Sequence, residues 1–401
     1  MAKVFHVYLE KADQPESGAY AELSLPATPY QIQDAFDKLR LEPGKQPYLD
    51  ILDCREEYDY LERCIQKQPD IFQLNALAKK LSELLATASM ASFEGLVGIE
   101  MKKGALPVPL PRLIDFAYSV DCCHIIGDAV TDYALGRFLV ENEFVPEAER
   151  LSEAAFKLLD FEKIGREHRE TMGGIYTGFG YVEQHAPPAE VYQILDLTPK
   201  TPDYTILLKV SKGFFNDPGY DSDKTVQLKL PASLEDLSSA LEAVGAWDWR
   251  EAGLSCLDCR IPALTEVISD AEAGIDFLND LAQRLAGLEP KTLTAYKALL
   301  EATDCKDLQS AEALIDSLDN YIFSPQYSSP AEVAKGELSV ILCDEDAETL
   351  TPYLNMYQYG QALIKKCGGT LTAYGLIERE DHHPVLSEKN MPNQGGMEMK
   401  Y

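Results

Sequence analysis

Cysteine and histidine are the residue types that most often carry out chemistry, and this chain places several of them close together. Cys256 and Cys259 form a Cys-x-x-Cys pair, which is the spacing of zinc ligands and of redox-active dithiols. A zinc site needs a second pair or histidines at ligand spacing, and a redox pair usually opens a helix. Neither condition is met, because the pair lies in an apolar segment that is typical of a strand.

The run Cys122-Cys123-His124 places a possible nucleophile beside a possible base. Successive side chains on a strand point to opposite faces, so this adjacency is poor geometry for a catalytic pair. Gly173-Gly174 lacks the strand-to-helix context of a phosphate-binding loop. We therefore expect no catalytic residue, no metal and no cofactor.

The carboxylates, in contrast, fall in patterns with few basic residues between them. An ordinary solvated face mixes charges of both signs, whereas a face of one sign repels itself and costs stability. We therefore predict that these acids form a partner-binding surface in which carboxylates imitate phosphates. The predicted residues are Glu56, Glu57, Asp59, Glu62, Asp121, Asp128, Asp132, Glu141, Glu143, Glu147, Glu149, Glu153, Asp304, Asp307, Asp316, Asp319, Asp344, Glu345, Asp346 and Glu348.

The net charge of −30 is spread over the whole chain, with −13 in residues 1–190 (32 acids, 19 bases) and −17 in residues 191–401 (34 acids, 17 bases). A single acidic tail would give an uneven division. The electrostatic field of this negative charge repels nucleic acids and anionic membranes and attracts basic partners. A halophile-like surface that only keeps the protein dissolved is the alternative interpretation.

The second half of the chain repeats the first. Leu52-Asp53-Cys54-Arg55 recurs as Leu257-Asp258-Cys259-Arg260 after 205 residues, and Gly180-Tyr181-Val182-Glu183 recurs as Gly375-Leu376-Ile377-Glu378 after 195. Other matches at spacings of 205, 204 and 201 lie in the same order, as one duplication followed by small deletions predicts. We expect two copies at 1–186 and 203–380, a linker at 187–202 and a disordered polar tail at 381–401. Copy one is expected to divide at about 1–62, 63–106 and 107–186.

Each copy shows the same order of predicted elements, which indicates an α+β fold of small α/β and helical subdomains. Alternating apolar residues predict strands, and apolar residues three and four positions apart predict helices. In copy one they predict strands at 4–9, 19–25 and 48–53, helices starting near Pro29 and Ile71, and a short helix around 89–97. In copy two they predict strands at 204–210, 225–230 and 254–258 and a helix at 233–244, with Ser233 as its N-cap. Further helices near 113–120, 131–141 and 161–168 and a hairpin at 173–183 complete copy one.

The remaining features bear on where the protein works. No run of 18 apolar residues exists, so no membrane span is expected. No secretory h-region follows Met1. Nine irregularly spaced cysteines are typical of free thiols in a reducing cytoplasm. These observations predict a cytoplasmic protein.

The chain resembles the ArdA family of antirestriction proteins. The resemblance rests on Tyr48–Tyr58, on Phe72–Ala78 with Leu81, and on Leu159–Arg166 followed by Gly173–Glu183. Leu354–Gly360 stands at the position of Leu159–Gly165 in copy two. The resemblance covers most of residues 1–380 and depends on the collinear pattern and the charge.

The resemblance implies an elongated acidic protein of three small subdomains per copy that mimics bent B-form DNA. Such a protein occupies the DNA-binding site of type I restriction–modification enzymes, blocks restriction and modification, and catalyses nothing. Family members usually form homodimers, so a fused chain implies either a monomeric pseudo-dimer or a homodimer. Copy two lacks a clear equivalent of Tyr133–Phe144, so the two copies need not bind equally. The alternative is an acidic scaffold or adaptor of a mobile genetic element that binds a basic protein without mimicking DNA.

Overall fold

The structure is a computed structural model that describes most of the chain. It describes residues 2–12, 18–42, 44–85, 89–104, 106–148, 152–156, 158–213, 224–270, 273–343, 346 and 349–385. Contacts divide the chain into two compact units. Unit 1 contains Met1–Tyr8, Glu22–Ala27 and Leu49–Pro199, and unit 2 contains Leu9–Ala21, Thr28–Tyr48 and Lys200–Tyr401.

The first repeat contains both short strands and helices, as the sequence predicts. In chain order they are β1 (Phe5–Glu10), β2 (Tyr20–Leu25), α1 (Pro29–Leu39), β3 (Tyr48–Cys54), a 3₁₀ helix (Glu56–Arg63), α2 (Ile71–Leu84), α3 (Met90–Lys102), α4 (Leu110–Tyr118), β4 (Cys123–Ile126), α5 (Asp132–Glu141), α6 (Glu153–Phe156), α7 (Phe161–Met172), β5 (Ile175–Thr177) and β6 (Gly180–Gln184). The strands form sheets of order β2-β1-β3 and β4-β6-β5.

The second repeat has a similar order, with an α-helix in place of the 3₁₀ helix and, among the described residues, no counterpart of α6. Its elements are β7 (Ile206–Lys212), β8 (Thr225–Leu230), α8 (Leu234–Val244), β9 (Ala252–Cys259), α9 (Leu264–Asp270), α10 (Ile275–Ala286), α11 (Pro290–Thr303), α12 (Leu308–Asp316), β10 (Tyr321–Ser324), α13 (Pro330–Ile341), α14 (Met356–Cys367), β11 (Thr370–Thr372) and β12 (Gly375–Arg379). Its sheets have the matching orders β8-β7-β9 and β10-β12-β11. The mixed α+β class with small three-stranded sheets is therefore confirmed.

Local hydrogen bonds show why the elements begin where they do. Ser233 accepts the amide of Asp236 and the Asp236 side chain accepts the amide of Ser233, which confirms the predicted N-cap of α8. Thr28 and Gln31 make the same capping box at the start of α1, 205 residues earlier. In each repeat an α-helical asparagine, Asn75 or Asn279, holds the backbone before this helix by two hydrogen bonds.

Glycines let the last helices of each repeat approach closely. A Cβ atom on Gly136 of α5 would collide with the backbone of Phe161, and one on Gly165 of α7 would collide with that of Asp132. In the second repeat, a Cβ on Gly360 of α14 would collide with the backbone of Pro330. Glycine is needed at these contacts because any side chain would force the helices apart.

Two predicted helix ends differ from the structure. Helix α3 runs to Lys102, beyond the predicted short helix at 89–97, and α7 runs to Met172, beyond 168. Within the predicted linker, which stays a prediction, the amide of Tyr192 donates to Asp115 at 2.8 Å. Val385 N–H donates to Gly368 O, residues 386–401 lie outside the described part, and the predicted tail stays a prediction.

The contact units cut across copy one as the sequence defines it, since Thr28–Tyr48, which includes α1, belongs to unit 2. The predicted copy boundaries describe the sequence repeat and stay a prediction. Among the described residues, no helix has the length and apolar character that a bilayer crossing requires.

Candidate partner-binding surface

The 3₁₀ helix Glu56–Arg63 presents three of the predicted acids as one row. Tyr58 and Leu61 are completely buried, and the Tyr58 hydroxyl donates to Leu81 O at 3.0 Å. This anchoring turns the opposite side of the helix outward. Glu56, Asp59 and Glu62 are all exposed there. We call these three residues the acidic row.

The geometry of the acidic row follows from the helix type. A 3₁₀ helix has three residues per turn and rises about 2 Å per residue, so side chains three apart are eclipsed at about 6 Å. Within the described residues, no lysine or arginine forms an ion pair with Glu56, Asp59 or Glu62. The nearby Glu57 differs, since Arg55 pairs with it at 2.9 Å and its pKa is lowered by hydrogen bonds from its own backbone amide and from Arg55.

The predicted acids of the following section divide into exposed and engaged residues. Asp121 and Asp128 flank β4 and are exposed. Asp132, at the start of α5, accepts hydrogen bonds from Arg169 at 2.8 and 3.1 Å and from the Tyr176 hydroxyl at 2.7 Å. These hydrogen bonds lower the pKa of Asp132. Asp132 therefore joins α5 to α7 and β5, and we leave it out of the proposed surface.

The predicted acids after α5 are only partly described. Glu141 pairs with Arg137 one turn earlier at 2.7 Å, and both side chains are exposed. Glu143 is exposed and has a left-handed backbone with φ of 64°. The side chains of Glu147 and Glu153, and the whole of Glu149, lie outside the described residues.

Four of the five predicted acids that the structure describes in the second repeat have local structural roles. Asp304 pairs with Lys306 at 2.9 Å, and Asp307 caps α12 by accepting the amide of Ser310 at 2.8 Å. Asp316 pairs with Arg284. Asp319 is exposed, and Asp346 is exposed and accepts from the Cys343 thiol at 3.2 Å. Asp344, Glu345 and Glu348 lie outside the described residues. Among the predicted acids that the structure describes, the first repeat therefore offers the larger set of carboxylates without an ion pair.

The thiols that the sequence singles out are protonated groups in apolar surroundings. Burial raises the pKa of Cys256 to about 12, and Cys256 donates to Asp258 O at 3.3 Å. Burial also raises the pKa of Cys123 to about 12. A nucleophile or a metal ligand would need the thiolate. No group of three or more possible metal ligands occurs within the described ranges.

Sequence reasoning missed a cluster of histidines around one carboxylate. Glu183 lies 2.7 Å from His168 Nε2 and 3.9 Å from His124 Nδ1. The rings of His124 and His185 stack with centroids 4.2 Å apart. The pairing of β4 with β6 sets His124 opposite Glu183, and this pairing was not predictable from the separate segments.

The chain matches no protein-family model, and comparison with characterised proteins gives no match. Function is therefore inferred from the residues of this chain.

Proposed function

We propose that this protein is a DNA-mimic antirestriction protein of the ArdA type. It binds in the DNA-binding cleft of a type I restriction–modification enzyme and prevents the enzyme from reaching DNA. The observation that supports this most strongly is the acidic row, in which three exposed carboxylates lie about 6 Å apart without an ion pair among the described residues.

The charge density of the acidic row suits this role. Each strand of duplex DNA carries one charge per about 3.4 Å of axis, and condensed counterions offset most of it. One carboxylate per about 6 Å is of the same order as the screened strand. A cleft that binds phosphates with lysine and arginine would therefore also attract the acidic row.

The repeated structure supports duplication of an ArdA-like unit as part of this proposal. Thr177 Oγ1 donates to Gly180 O at 3.1 Å, and 195 residues later Thr372 Oγ1 donates to Gly375 O at 2.8 Å. Asp160 and Asn355, also 195 apart, each cap the helix that follows. Two acidic units in one chain would supply the mimic that a homodimer supplies in the ArdA family.

Displacement of DNA tests the proposal. A fluorescent duplex is bound to a type I methyltransferase, the chain is added, and anisotropy gives an inhibition constant at two salt concentrations, corrected for the duplex Kd at each. We expect displacement near stoichiometric protein and weaker inhibition at high salt, because exposed charge pairs are screened. Retention of the duplex at a large excess of chain would refute DNA mimicry.

A second candidate is the acidic adaptor, which one observation favours. Val340, Ile341 and Tyr353 of the second repeat are 82%, 58% and 85% exposed. Exposed apolar side chains of this size are typical of protein contact surfaces when they lie together. An adaptor would bind its partner while DNA stays bound, which the same titration would reveal.

A further inference from the structure

Unit 2 shows in detail how a helix docks on the second repeat. Helix α1 directs Asp34 and Asp37 at the buried Lys297 of α11, whose Nζ lies 2.8 Å from a carboxylate oxygen of each. The Tyr374 hydroxyl, in the turn between β11 and β12, donates to Asp34 at 2.8 Å. Lys297 is 3% exposed and Asp34 is 6% exposed, so α1 covers the lysine completely.

The start of α1 is held by a second set of contacts. Thr28 Oγ1 donates to Asp258 at 2.7 Å, and the Tyr30 ring meets the Tyr204 ring edge-on at 5.6 Å. Lys297, Tyr374 and Asp258 therefore define a helix-receiving face, which binds a helix that carries acids.

The first repeat has the corresponding positions, and they are open. Asp53 corresponds to Asp258 at the spacing of 205, and Phe179 corresponds to Tyr374 at the spacing of 195. Asp53 is exposed, and Phe179 is 50% exposed in the turn between β5 and β6. Tyr374, in contrast, is only 4% exposed.

In the first repeat, the position that corresponds to the buried Lys297 carries the opposite charge. Glu94 of α3 corresponds to Lys297 at a spacing of 203, between the spacings of 204 and 201 on either side. Its neighbours agree, because Phe93 and Tyr296 are both fully buried. Within the described residues Glu94 forms no ion pair. Burial holds the pKa of Glu94 above its ordinary value, although the hydrogen bond that the Gly178 amide donates to it acts in the opposite direction.

We propose that Asp53, Glu94 and Phe179 form a docking face for a helix of the target enzyme that carries lysine or arginine where α1 carries Asp34. Charge complementarity selects this occupant: the second repeat receives acids with a lysine, and the first repeat offers a carboxylate. The exposed Phe179 ring supplies the apolar contact that such a helix needs. This inference rests on the proposed function, since the basic helix belongs to the wall of the DNA-binding cleft.

A purely local role for Glu94 makes a different prediction. The amide that Glu94 caps in the first repeat is capped in the second by Glu301, which accepts Ala373 N–H at 2.9 Å. Glutamine at position 94 would keep an acceptor for Gly178 and lose the charge. A capping role therefore predicts no change in Glu94→Gln, whereas docking of a cation predicts weaker binding.

The experiment measures DNA displacement from a type I methyltransferase by the full chain and by Glu94→Gln, Glu94→Lys and Phe179→Ser. The control is Glu242→Lys, which makes the same charge change as Glu94→Lys at an exposed site of α8. We expect inhibition to weaken roughly tenfold or more in Glu94→Lys and Phe179→Ser and severalfold in Glu94→Gln, as at a hot spot. Glu242→Lys should stay within about twofold, in line with isolated surface charges.

Thermal melting of each variant shows whether it remains folded. Equal inhibition by Glu94→Lys and Glu242→Lys, or by wild type and Glu94→Gln, would overturn the docking face and leave the proposed function standing. Failure of the wild-type chain to displace the duplex would overturn the proposed function and the docking face together.

Discussion

The segments that follow the third strand of each repeat have the same place in the fold, but the first exposes carboxylates where the second buries apolar side chains. In the first repeat this segment is the 3₁₀ helix whose Glu56, Asp59 and Glu62 face outward. In the second repeat, Ile261 and Leu264 are each 1% exposed and enter the core. This difference indicates that the fold of the repeat does not require acids at these positions. A role in binding is therefore the simpler reason for their presence in the first repeat.

A second contrast concerns the first helix of each repeat. Helix α1 buries Tyr30 and Asp34, whereas the corresponding Glu235 and Ser239 of α8 are exposed. The buried Asp34 and Lys297 explain the difference in physical terms. Two carboxylates share one buried cation, and each group would be costly to bury alone.

The largest predicted effect comes from breaking this buried group. Lys297→Met removes the buried cation that Asp34 and Asp37 share and leaves Asp34 with only the partly exposed Lys38 at 3.0 Å. We expect the free energy of unfolding of unit 2 to fall by about 3–5 kcal/mol. Urea denaturation followed by tryptophan fluorescence measures it, because Trp247 and Trp249 both lie in unit 2. Lys306→Met removes an exposed pair instead and should change stability by less than about 1 kcal/mol. Equal losses would show that Lys297 is not the central contact.

The same variant should respond to pH in the opposite sense to the wild type. Burial raises the pKa of Asp34, but Lys297 and Lys38 outweigh burial and hold it below the ordinary value of 3.8. The wild type therefore loses this contribution as pH falls below about 4. Without Lys297 the Asp34 pKa should rise, so the deficit of the variant should shrink as pH falls from neutral. A deficit that is independent of pH would contradict this account.

The second prediction concerns Asp132, which has no acidic counterpart in the second repeat, where Pro330 stands. Asp132→Ala leaves Arg169 and Tyr176 without their acceptor, and we expect a loss of about 1–3 kcal/mol. Thermal melting by circular dichroism would measure it, with the exposed Asp128→Ala as the control. An Asp132→Ala protein of wild-type stability that inhibits poorly would place Asp132 in the binding surface after all.

The third prediction tests the acidic row directly. Neutralising all three acids (Glu56→Gln, Asp59→Asn and Glu62→Gln) should weaken inhibition about tenfold, since single exposed pairs contribute about 0–1 kcal/mol each. Any one change should cost less than about fivefold, which corresponds to about 1 kcal/mol, the upper end of that single-pair range. The control neutralises Asp304, Asp316 and Asp319, which changes the net charge equally in the second repeat. Equal weakening by both triple variants would show that only net charge matters.

The smallest effect is expected at Glu143, where the first repeat leaves the helix and the second continues to Ile341. Glu143→Gly removes a side chain from a left-handed backbone and should raise stability by about 0.5–1 kcal/mol. Inhibition should change by less than about threefold, as expected for loss of one exposed charge. Lower stability in melting experiments would mean that the Glu143 side chain makes a contact worth more than the backbone strain.

Much of the local fold could be predicted because its signals are local. The Ser233 capping box, the strand at 225–230 and the helix from Ile71 follow from caps and periodicity within a few residues. The pairing of β4 with β6 joins residues about 60 apart, and no local signal encodes it. The docking of α1 through Lys297 links positions 260 residues apart.

The candidate surface was predictable in part for the same reason. The acids of the acidic row could be recognised in the sequence because few basic residues lie near them. Their alignment at about 6 Å became evident only with the 3₁₀ helix. That Asp132 and Asp316 are engaged depends on Arg169 and Arg284, which are distant in sequence. The role proposed for Glu94 depends on its correspondence with Lys297 of the second repeat, which no local signal around Glu94 reveals.

The most direct test of the central claim asks whether the chain and DNA can occupy the enzyme together. A type I methyltransferase saturated with a labelled duplex is mixed with a differently labelled chain and separated by size-exclusion chromatography. DNA mimicry predicts two populations, enzyme with duplex or enzyme with chain, and never both labels on one enzyme. A ternary complex that carries both labels would contradict mimicry and support the adaptor.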